Sequence, residues 1–417
     1  MEKQSHKRLK VLLGCYACDP NRGSEPGMGW NFAYNISKHH DVHAIVEEGE
    51  FKESLERFSR ENPEAVRNIT FHFVPRTHHE RLRKIWPPSY YFFYRLWHKR
   101  AYQLAKELDK RENFDIVHQV NMAGYREPGY LWKLGKPFIW GPLGGFKNTE
   151  WRLLPGLGIR DFIYFALRNI VNSYQKRCSK AAKQVSKAAH TIIVSDPDGA
   201  EVVQKLWKRD PLIIREVGTY SSAPTPQITP HLPGTPLRIC WAGTLVALKA
   251  LPILLKALPQ CKHSIQIEVM GGGVKEKEWK QLTKELNLEH CVRYHGFIPH
   301  CEVAAMMSSC HLMCITSIHE GGTTSICLEA LQLGLPIVAL DHCGFASVID
   351  DSCGIKIPIK SQSEISAQLA KELDRLAEDE DLRLRLAQGA YERGKDFTWD
   401  SKMQVLNRVY AEAAAGN

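Results

Sequence analysis

The sequence predicts an α/β protein built from two doubly wound domains. Short apolar runs of strand length alternate with longer segments of helical periodicity, which is typical of parallel sheets covered by helices. A proline-rich segment, residues 219–236, interrupts this alternation near the middle of the chain. The length of 417 residues is enough for two or three domains of roughly 150 residues each.

The first domain is predicted over residues 1–218. Its strands are expected where apolar and β-branched residues cluster, at Leu9–Cys15, Val42–Glu47, Ile69–Val74, Ile116–Gln119, Phe138–Gly141, Thr191–Ser195 and Leu212–Val217. Its helices are expected at Trp30–His39, Phe51–Arg60, Tyr90–Leu108, Arg160–Ala189 and near Asp198–Lys208.

The linker and the second domain follow. Five prolines between residues 219 and 236 are incompatible with a helix or a central strand, so this segment is the predicted boundary. The second domain is predicted over residues 237–397, with strands at Arg238–Ala242, Gln266–Met270, Val292–His295, His311–Thr316 and Pro336–Leu340. Its helices are expected at Leu251–Leu258, Lys275–Leu286, Cys301–Ser309, Ser325–Leu333, Glu364–Glu378 and Leu382–Lys395, with a last helix after Thr398. Two such domains predict a cleft between them, with ligand at the carboxyl ends of the strands.

Composition excludes several classes of protein. Hydrophobic residues make up 44% and charged residues 24%, which excludes extensive disorder. The net charge of +9 suits anionic partners, but no helix-turn-helix, zinc-finger or RNP signature is present, so nucleic acid is not expected. Twelve cysteines are too few for a disulfide scaffold, and the pair Cys15 and Cys18 lacks a second pair at zinc spacing. The apolar run near the N-terminus is too short for a secretory signal, and a cytoplasmic location is expected.

Two glycine-bearing turns precede predicted helices, where free backbone N–H groups attract anions. In the first, RGSEPGMGWN, Gly27 and Gly29 come directly before Trp30; a flexible connector is the alternative interpretation. In the second, WAGTLVALKA, Gly243 ends a strand and Lys249 follows six residues later. A lysine at that point can hold a diphosphate as a point charge, although a solvated surface lysine is the alternative.

A third turn carries the most specific pattern, EGGTTSICLEALQLGLP. Gly321 and Gly322 allow a ligand to approach the backbone, and Thr323 or Thr324 is expected to cap the next helix. Glu329 falls in the second turn of that helix among apolar residues, where a carboxylate needs partners. Because helical side chains lean towards the N-terminus, Glu329 is expected to reach back to the anion site. Pairing with a basic residue is the alternative.

These segments together resemble glycosyltransferase family 4, the retaining sugar transferases of the GT-B fold, in which two Rossmann-like domains face each other across a cleft. The resemblance covers nearly the whole chain. It rests on GSEPGMGWN, on DIVH at Asp115–His118, on WAGTLVALKAL, on VRYHGFIP at Val292–Pro299, on EGGTTSICLEALQLGLPIVALD and on FTWDSKMQVLNRVY. The last of these is similar to a helix that crosses back to the first domain, so residues 398–417 are assigned there.

The resemblance implies a role for each matched residue. Glu329 is implied to hold the ribose of a UDP- or GDP-type nucleotide-sugar, and Lys249 to neutralise the leaving diphosphate. The amides of Gly321, Gly322, Thr323 and Thr324 are implied to contact phosphate and sugar. The other implied donor-binding residues are Gly27, Gly29, Gly243, Thr244, Phe297 and Ile298, the last two in the segment whose backbone reads the base.

Three positions depart from the family pattern. His118 matches the first histidine of a His-x-His strand end, but the second position is Val120, so a catalytic role for His118 has weaker support. The usual spacing of two glutamates places the first on Gly321. Either the loop has gained one residue and Glu320 still faces the sugar, or that acid is lost. Thr244 stands where a basic residue is common, which leaves more phosphate charge to Lys249.

The implied reaction needs no metal and no cofactor, since the nucleotide-sugar is a substrate. No Asp-x-Asp follows a strand to hold a metal ion. The expected acceptor is a glycan or a polyprenyl-diphosphate-linked sugar, as in bacterial surface polysaccharide synthesis. The alternative is a catalytically silent GT-B relative that binds sugars or lipids. A nicotinamide dehydrogenase is disfavoured because GCYACDP, and not GxGxxG, follows the first strand.

Two segments suggest contact with the inner membrane surface. Residues 76–111 carry ten basic and three acidic residues together with the aromatic run Tyr90, Tyr91, Phe92, Phe93, Tyr94 and Trp97. Residues 161–189 combine aliphatic and aromatic side chains with several lysines and arginines. Such compositions are typical of segments that lie on anionic lipid. The alternative is that the aromatic residues belong to the core.

Overall fold

The computed structural model describes residues 8–76, 89–220 and 225–416. These residues form two compact units. The first contains residues up to 146 together with 175–216 and 401 onwards, and the second contains 147–174 and 217–400. The division after residue 216 is close to the predicted boundary, but residues 147–174, which the sequence assigned to the first domain, belong to the second unit.

The first unit is built on a parallel sheet that has seven strands within the described residues. The strand order is β3-β2-β1-β4-β5-β6-β7, so the chain reverses its direction of winding between β1 and β4. The strands are β1 Lys10–Cys15, β2 Asp41–Glu47, β3 Ile69–Val74, β4 Ile116–Asn121, β5 Phe138–Leu143, β6 Thr191–Val194 and β7 Leu212–Ile213.

Helices follow most of these strands. They are α1 Ser24–Ser37, α2 Glu48–Glu61, α3 Pro63–Val66, α4 Ser89–Glu112, α5 Ile159–Cys178, α6 Lys180–Ala188 and α7 Pro197–Val202, with shorter turns at Leu131–Leu134, Trp151–Gly156 and Val203–Trp207. Most of α5 lies in the second unit. The predicted helix 160–189 is two helices, because the Ser179 hydroxyl accepts a bond from Ala182 N and caps α6.

The second unit repeats this plan with a parallel sheet in which six strands are described. The order β10-β9-β8-β11-β12-β13 places its reversal between β8 and β11. In open α/β sheets ligands bind outside the carboxyl ends of the strands at such a reversal. The strands are β8 Leu237–Ala242, β9 Ile265–Met270, β10 Val292–Gly296, β11 Leu312–Ile315, β12 Ile337–Leu340 and β13 Gly354–Ile357.

The helices of the second unit agree closely with the predicted ones. They are α8 Pro252–Ala257, α9 Glu276–Glu285, α10 His300–Ser308, α11 Ser325–Gln332, α12 Cys343–Ala346, α13 Gln362–Glu378, α14 Glu380–Gly394 and α15 Trp399–Ala415, with short turns at Ala247–Lys249, Leu258–Gln260 and Lys395–Phe397. From Ser401 onwards α15 belongs to the first unit, so the predicted return of the chain to that unit agrees with this division.

Half of the aromatic run at the start of α4 belongs to the core. Phe93, Tyr94 and Trp97 are buried, and the Trp97 indole donates to the Val74 carbonyl at 3.0 Å. Tyr90 is half-buried, and Tyr91 and Phe92 are exposed. The interpretation of the whole run as a membrane-facing segment is therefore corrected. Part of the same prediction, residues 77–88 with Arg81, Arg83 and Lys84, lies outside the described residues.

No helix among residues 8–76, 89–220 and 225–416 combines the length and the apolar composition that crossing a bilayer requires. Buried cysteines such as Cys240, Cys314 and Cys327 fill the core as small apolar side chains, as predicted. Cys15 and Cys18 are also buried free thiols, and burial raises the pKa of both. A buried thiol in this state is a poor nucleophile and a poor metal ligand.

Candidate active site

The turn after β8 places Lys249 at the winding reversal of the second sheet. Gly243 has a φ of 157°, and a Cβ there would lie 3.6 Å from the Lys249 side chain. The backbone carbonyl of Lys249 accepts a bond from the Thr316 hydroxyl at 2.8 Å, and Ile318 N donates to the Leu248 carbonyl at 2.8 Å. The loops that follow β8 and β11 are therefore fastened to each other.

Lys249 and Glu320 form an ion pair. The ammonium nitrogen lies 2.5 Å from Glu320 Oε1, and the two side chains are 18% and 12% exposed. Each charge compensates the other in a largely desolvated position, where an unpaired charge is costly. Two of the residues predicted to be catalytic are thus in direct contact, and the Lys249 ammonium is available to exchange its carboxylate partner for another anion.

The turn from Gly321 to Thr324 lies directly beside this pair in the sequence and leads into α11. Gly321 borders open space, whereas a Cβ on Gly344 would lie 2.6 Å from the Gly322 backbone, so the two loops touch. Neither the Thr323 nor the Thr324 hydroxyl, both buried, has a hydrogen-bond partner within the described chain. Thr324 is the N-cap residue but makes no side-chain cap, contrary to the prediction. Unused hydroxyls, beside the N–H groups that the first turn of any α-helix leaves without an intrahelical partner, are suited to bind phosphate.

Glu329 is in the second turn of α11 and is half-buried. It is not an isolated acid, because it already takes part in an interaction within the protein. Its side chain leans towards the N-terminus of α11, as in any α-helix. A carboxylate in this place can accept bonds from hydroxyl groups of a ligand that occupies the turn.

Phe297 is a largely exposed member of the predicted donor-binding residues. Gly296 has a φ of 69°, which directs the chain out of β10, and the Phe297 side chain is 79% exposed. Its ring covers Gly272, where a Cβ would lie 3.0 Å from the ring. Ile298 packs partly against the core. An exposed ring with a glycine beneath it leaves a face open to a planar base.

A cavity lies at the reversal of the second sheet. It opens between the carboxyl ends of β8 and β11 and the start of α11, and its walls are Trp241, Ala242, Lys249, Met313, Cys314, Ile315, Thr316, Ser317, Thr324 and Ile326. The structure therefore brings Lys249 and Thr324 to one cavity. No group of three or more His, Cys, Asp or Glu side chains in the described segments is arranged to hold a metal ion.

The segment 147–174 adds residues that sequence reasoning missed. Glu150 Oε1 lies 3.7 Å from His342 Nδ1, and Arg168 Nη1 lies 3.5 Å from His319 Nδ1, next to Glu320. Asp161 pairs with Lys275 at 2.9 Å. No sequence signal reveals these contacts, since the partners are more than 100 residues apart and their spacing follows no motif.

Gly27 and Gly29 lie inside α1 in the first unit, because the helix begins at Ser24 and not at Trp30. A Cβ on Gly29 would lie 2.0 Å from the Ala17 carbonyl, and one on Gly27 would lie 2.4 Å from the Arg22 carbonyl. Both glycines are therefore required for packing the loop after β1 on the helix. Their implied contact with a donor or an acceptor stays a prediction.

Glu25, which no motif in the sequence indicates, lies in the first turn of α1 and is half-buried. Its carboxylate accepts a bond from Ala123 N at 3.2 Å, and burial raises the pKa of Glu25 above its ordinary value. A desolvated carboxylate beside a glycine loop is a candidate functional group. Its position two residues before Gly27 is the only signal that could have identified it.

His118 has a structural role, which corrects the catalytic prediction. The ring is fully buried, Nε2 donates to the Gly141 carbonyl at 2.7 Å, and Nδ1 accepts from the Tyr410 hydroxyl at 2.7 Å. Both ring nitrogens are occupied, so neither can act on a substrate in this arrangement. The histidine instead fastens α15 to β4. Burial lowers the pKa of His118 to about 4.

The free energy of unfolding is expected to fall as the pH is lowered from 6.5 to 4. In this range the unfolded state binds a proton at His118 that the folded state excludes, so His118 contributes about 2 kcal/mol to the loss at pH 5. Other buried histidines whose pKa values burial lowers add to this loss. Urea denaturation at pH 8 and pH 5 measures it. His118→Gln should reduce the difference between the two pH values, and His190→Gln, at an exposed histidine, should not. An unchanged difference in His118→Gln would contradict the assignment.

Residues 228–393 match the family model described as Glycosyl transferases group 1. The D-inositol 3-phosphate glycosyltransferase of Streptomyces bingchenggensis is 29% identical over 198 residues, which are 44% of this chain and 42% of that protein. The phosphatidyl-myo-inositol mannosyltransferase of Mycobacterium leprae is 29% identical over 172 residues, 40% of this chain and 44% of that protein. This chain spans less than half the length of these curated relatives.

Two solved structures share the fold. Sucrose-phosphate synthase from Thermosynechococcus elongatus has a TM-score of 0.68 at 16% identity, over 98% of this chain and 100% of that one. Anabaena Alr3699/HepE in complex with UDP has a TM-score of 0.63 at 14% identity, over 97% and 100%. The predicted GT-B fold is confirmed, and residues 228–393 are a group 1 glycosyltransferase domain. The narrower assignment to family 4 stays a prediction.

Proposed function

We propose that the protein is a retaining glycosyltransferase that moves a sugar from a nucleotide-diphosphate sugar to a glycan or to a lipid-linked acceptor. The observation that carries this proposal is the pairing of Lys249 with Glu320 beside the unused donors of Thr323 and Thr324. This arrangement lies within the group 1 domain and at the winding reversal of its sheet. A cation and several free N–H and O–H donors together suit a diphosphate.

The proposed donor is a UDP- or GDP-type sugar. The Anabaena structure with the same fold contains UDP, which supports a uridine nucleotide. In the proposal the base lies at Gly296–Ile298, the ribose hydroxyls bond to Glu329, and the diphosphate lies at the N-terminus of α11. Gly243 and Thr244 border the phosphates through their backbone.

The proposed reaction breaks the bond between the anomeric carbon and the diphosphate oxygen, and a hydroxyl oxygen of the acceptor forms the new bond. The acceptor hydroxyl loses its proton, and the nucleotide diphosphate leaves with the electron pair. Lys249 and the oriented donors of residues 321–324 stabilise that developing charge electrostatically. In this proposal Glu320 is released from Lys249 when the diphosphate binds and turns to the sugar. None of these proposed steps uses a metal ion.

We also propose a cytoplasmic location at the inner membrane face and a role in bacterial surface polysaccharide or glycoconjugate synthesis. A lipid-linked acceptor would be presented at that surface. The net charge of +9 supports attraction to anionic headgroups. The aromatic run of α4 does not support this location, because three of its six rings are buried in the core.

A panel of nucleotide diphosphates and nucleotide-sugars tests the donor. A matched nucleotide at one hundred times its Kd should stabilise the protein by about 2.7 kcal/mol, which thermal shift detects. Release of nucleotide diphosphate is then measured with and without glycan and lipid-linked acceptors. Acceptor-dependent release supports the transferase. Binding with no release under any condition would favour a silent sugar-binding relative, and the absence of any binding would contradict both.

A further inference from the structure

Helix α5 exposes its apolar face to solvent. Between residues 163 and 174 every side chain that is largely exposed is aliphatic or aromatic, and Ile159 extends this row by one turn. Their exposed fractions lie between 50% and 78%. At 100° per residue they fall within an arc of about 140° on the helix. We call this row the apolar stripe; its members are Ile159, Ile163, Tyr164, Leu167, Ile170, Val171 and Tyr174.

The inward face of α5 combines one buried ring, that of Phe165, with polar anchors. The Asn169 amide exchanges two bonds with the Thr149 backbone at 2.7 and 2.9 Å, and Asn172 donates to Asn148 Oδ1 at 2.8 Å. Asp161 is held by Lys275. These bonds fix the rotation of the helix about its axis. The outward orientation of the stripe is therefore specified by the sequence.

A helix in a water-soluble monomer normally turns its apolar face inward, and large exposed apolar patches mark interaction surfaces. The stripe has the composition of a segment that lies in a lipid interface, with Tyr164 and Tyr174 as amphipathic rings among aliphatic side chains. From Ile159 to Tyr174 it runs for about 22 Å along the helix, at 1.5 Å per residue, which is too short to span a bilayer. Such a helix would lie in the plane of the surface.

The charges around the stripe favour an anionic surface. Between residues 159 and 190 the chain carries seven basic residues and one acidic residue, and that acid, Asp161, is already paired with Lys275. The basic residues are Arg160, Arg168, Lys176, Arg177, Lys180, Lys183 and Lys187. An apolar interface with another protein would not require this excess of basic over acidic residues. Anionic lipid headgroups do favour it, at about 1 kcal/mol for each basic residue near the surface.

We propose that the apolar stripe of α5 is a docking surface for an anionic membrane. The proposal deepens the proposed function and rests on it only in that a lipid-linked acceptor would be met there. The stripe inserts among the headgroups, and the exposed basic residues at the two ends of the same helix, Arg160 and Arg177, contact lipid phosphate. Arg168 and Lys176 are not counted among these contacts, because they bond to His319 and to the Phe146 carbonyl. The protein then binds reversibly, since electrostatic attraction weakens as salt shortens the Debye length from about 10 Å at 0.1 M to about 3 Å at 1 M.

Co-sedimentation of the full-length protein with vesicles tests the proposal. Wild type should bind vesicles that contain phosphatidylglycerol, bind pure phosphatidylcholine vesicles little, and be released in high salt. Leu167→Glu/Ile170→Glu should lower the partition coefficient at least tenfold, and the uncharged pair Leu167→Gln/Ile170→Gln should lower it less. Leu232→Glu is the matched control, because Leu232 and Ile170 are both 59% exposed, and it should stay within twofold of wild type.

Other outcomes would overturn the proposal. Wild type that stays in the supernatant with both kinds of vesicle contradicts it, as does undiminished binding of the double glutamate variant. A wild-type dimer in light scattering that this variant converts to monomer would show that the stripe is a seam between two copies. Nucleotide-induced thermal shifts, measured on the same samples, report the donor site independently. If wild type shows no thermal shift with any nucleotide, the proposed function is refuted, whereas the membrane surface is still judged from the binding to vesicles.

Discussion

Replacement of Lys249 by alanine is expected to lower kcat about 10²–10³-fold, the effect of removing one preorganised donor to a developing negative charge. Lys249 is the cation in direct contact with Glu320, and it lies beside the turn whose donors face the proposed diphosphate. Thr244 leaves no second cation in its own loop. Because the ammonium acts mainly on the leaving group, kcat should fall more than the affinity for the intact donor.

The test compares steady-state rates of donor consumption for three variants. Lys249→Arg should recover little, since a planar guanidinium does not replace a compact ammonium. Lys256→Ala is the control, because Lys256 is an exposed lysine on α8, seven residues away, and it should turn over like wild type. Turnover of Lys249→Ala close to that of wild type would exclude the proposed role.

The partner of Lys249 makes a second control possible. Lys249→Ala leaves Glu320 without its paired charge in a largely buried position, which by itself lowers stability. The double variant Lys249→Ala/Glu320→Gln removes both charges and should regain part of that stability. The reference for its activity is Glu320→Gln alone, because Glu320 is itself proposed to face the sugar. If the loss in Lys249→Ala followed only from instability, the double variant would turn over as fast as Glu320→Gln. We expect stability to recover and turnover to stay well below that of Glu320→Gln.

Much of this architecture could be predicted from local patterns. Apolar runs and the prolines of residues 219–236 revealed the strands and the division between the units. The glycines at 321 and 322 and the apolar helix after them revealed the donor turn. Each of these signals is contained within about twenty consecutive residues, and periodicity or glycine chemistry is enough to interpret it.

What the sequence could not reveal depends on contacts between distant residues. His118 looked available for catalysis until Tyr410, 292 positions later, occupied one of its nitrogens. The first half of α4 and helix α5 have similar amino-acid compositions. In α4, however, Phe93 and Trp97 are buried, whereas in α5 Leu167 and Tyr174 are exposed. The anchors on the opposite face of α5, the buried Phe165 ring and the hydrogen bonds of Asn169 and Asn172, decide which side of that helix meets solvent.

Glu329→Gln is expected to weaken binding of the free nucleotide diphosphate by about 1.5–3 kcal/mol, the range for a hydrogen bond to a charged group. This corresponds to roughly a 10- to 150-fold increase in Kd. Glutamine keeps the shape of the side chain but loses the charge and one acceptor. Since Glu329 is half-buried and lies one turn inside α11, the fold should tolerate the change.

Isothermal titration with UDP and GDP measures the loss, and Glu302→Gln, at an exposed glutamate on α10, should bind as wild type does. A cycle with the 2′-deoxynucleotide separates the ribose contact from a general change of the site. In wild type the deoxynucleotide should bind more weakly, because one partner of the carboxylate is missing. In Glu329→Gln the ribose and deoxyribose forms should bind nearly equally, since the two changes remove the same interaction and are not additive. If the 2′-deoxy change instead weakens binding to Glu329→Gln as much as it weakens binding to wild type, the two losses are additive. The ribose would then lie elsewhere, and Glu329 would only support α11.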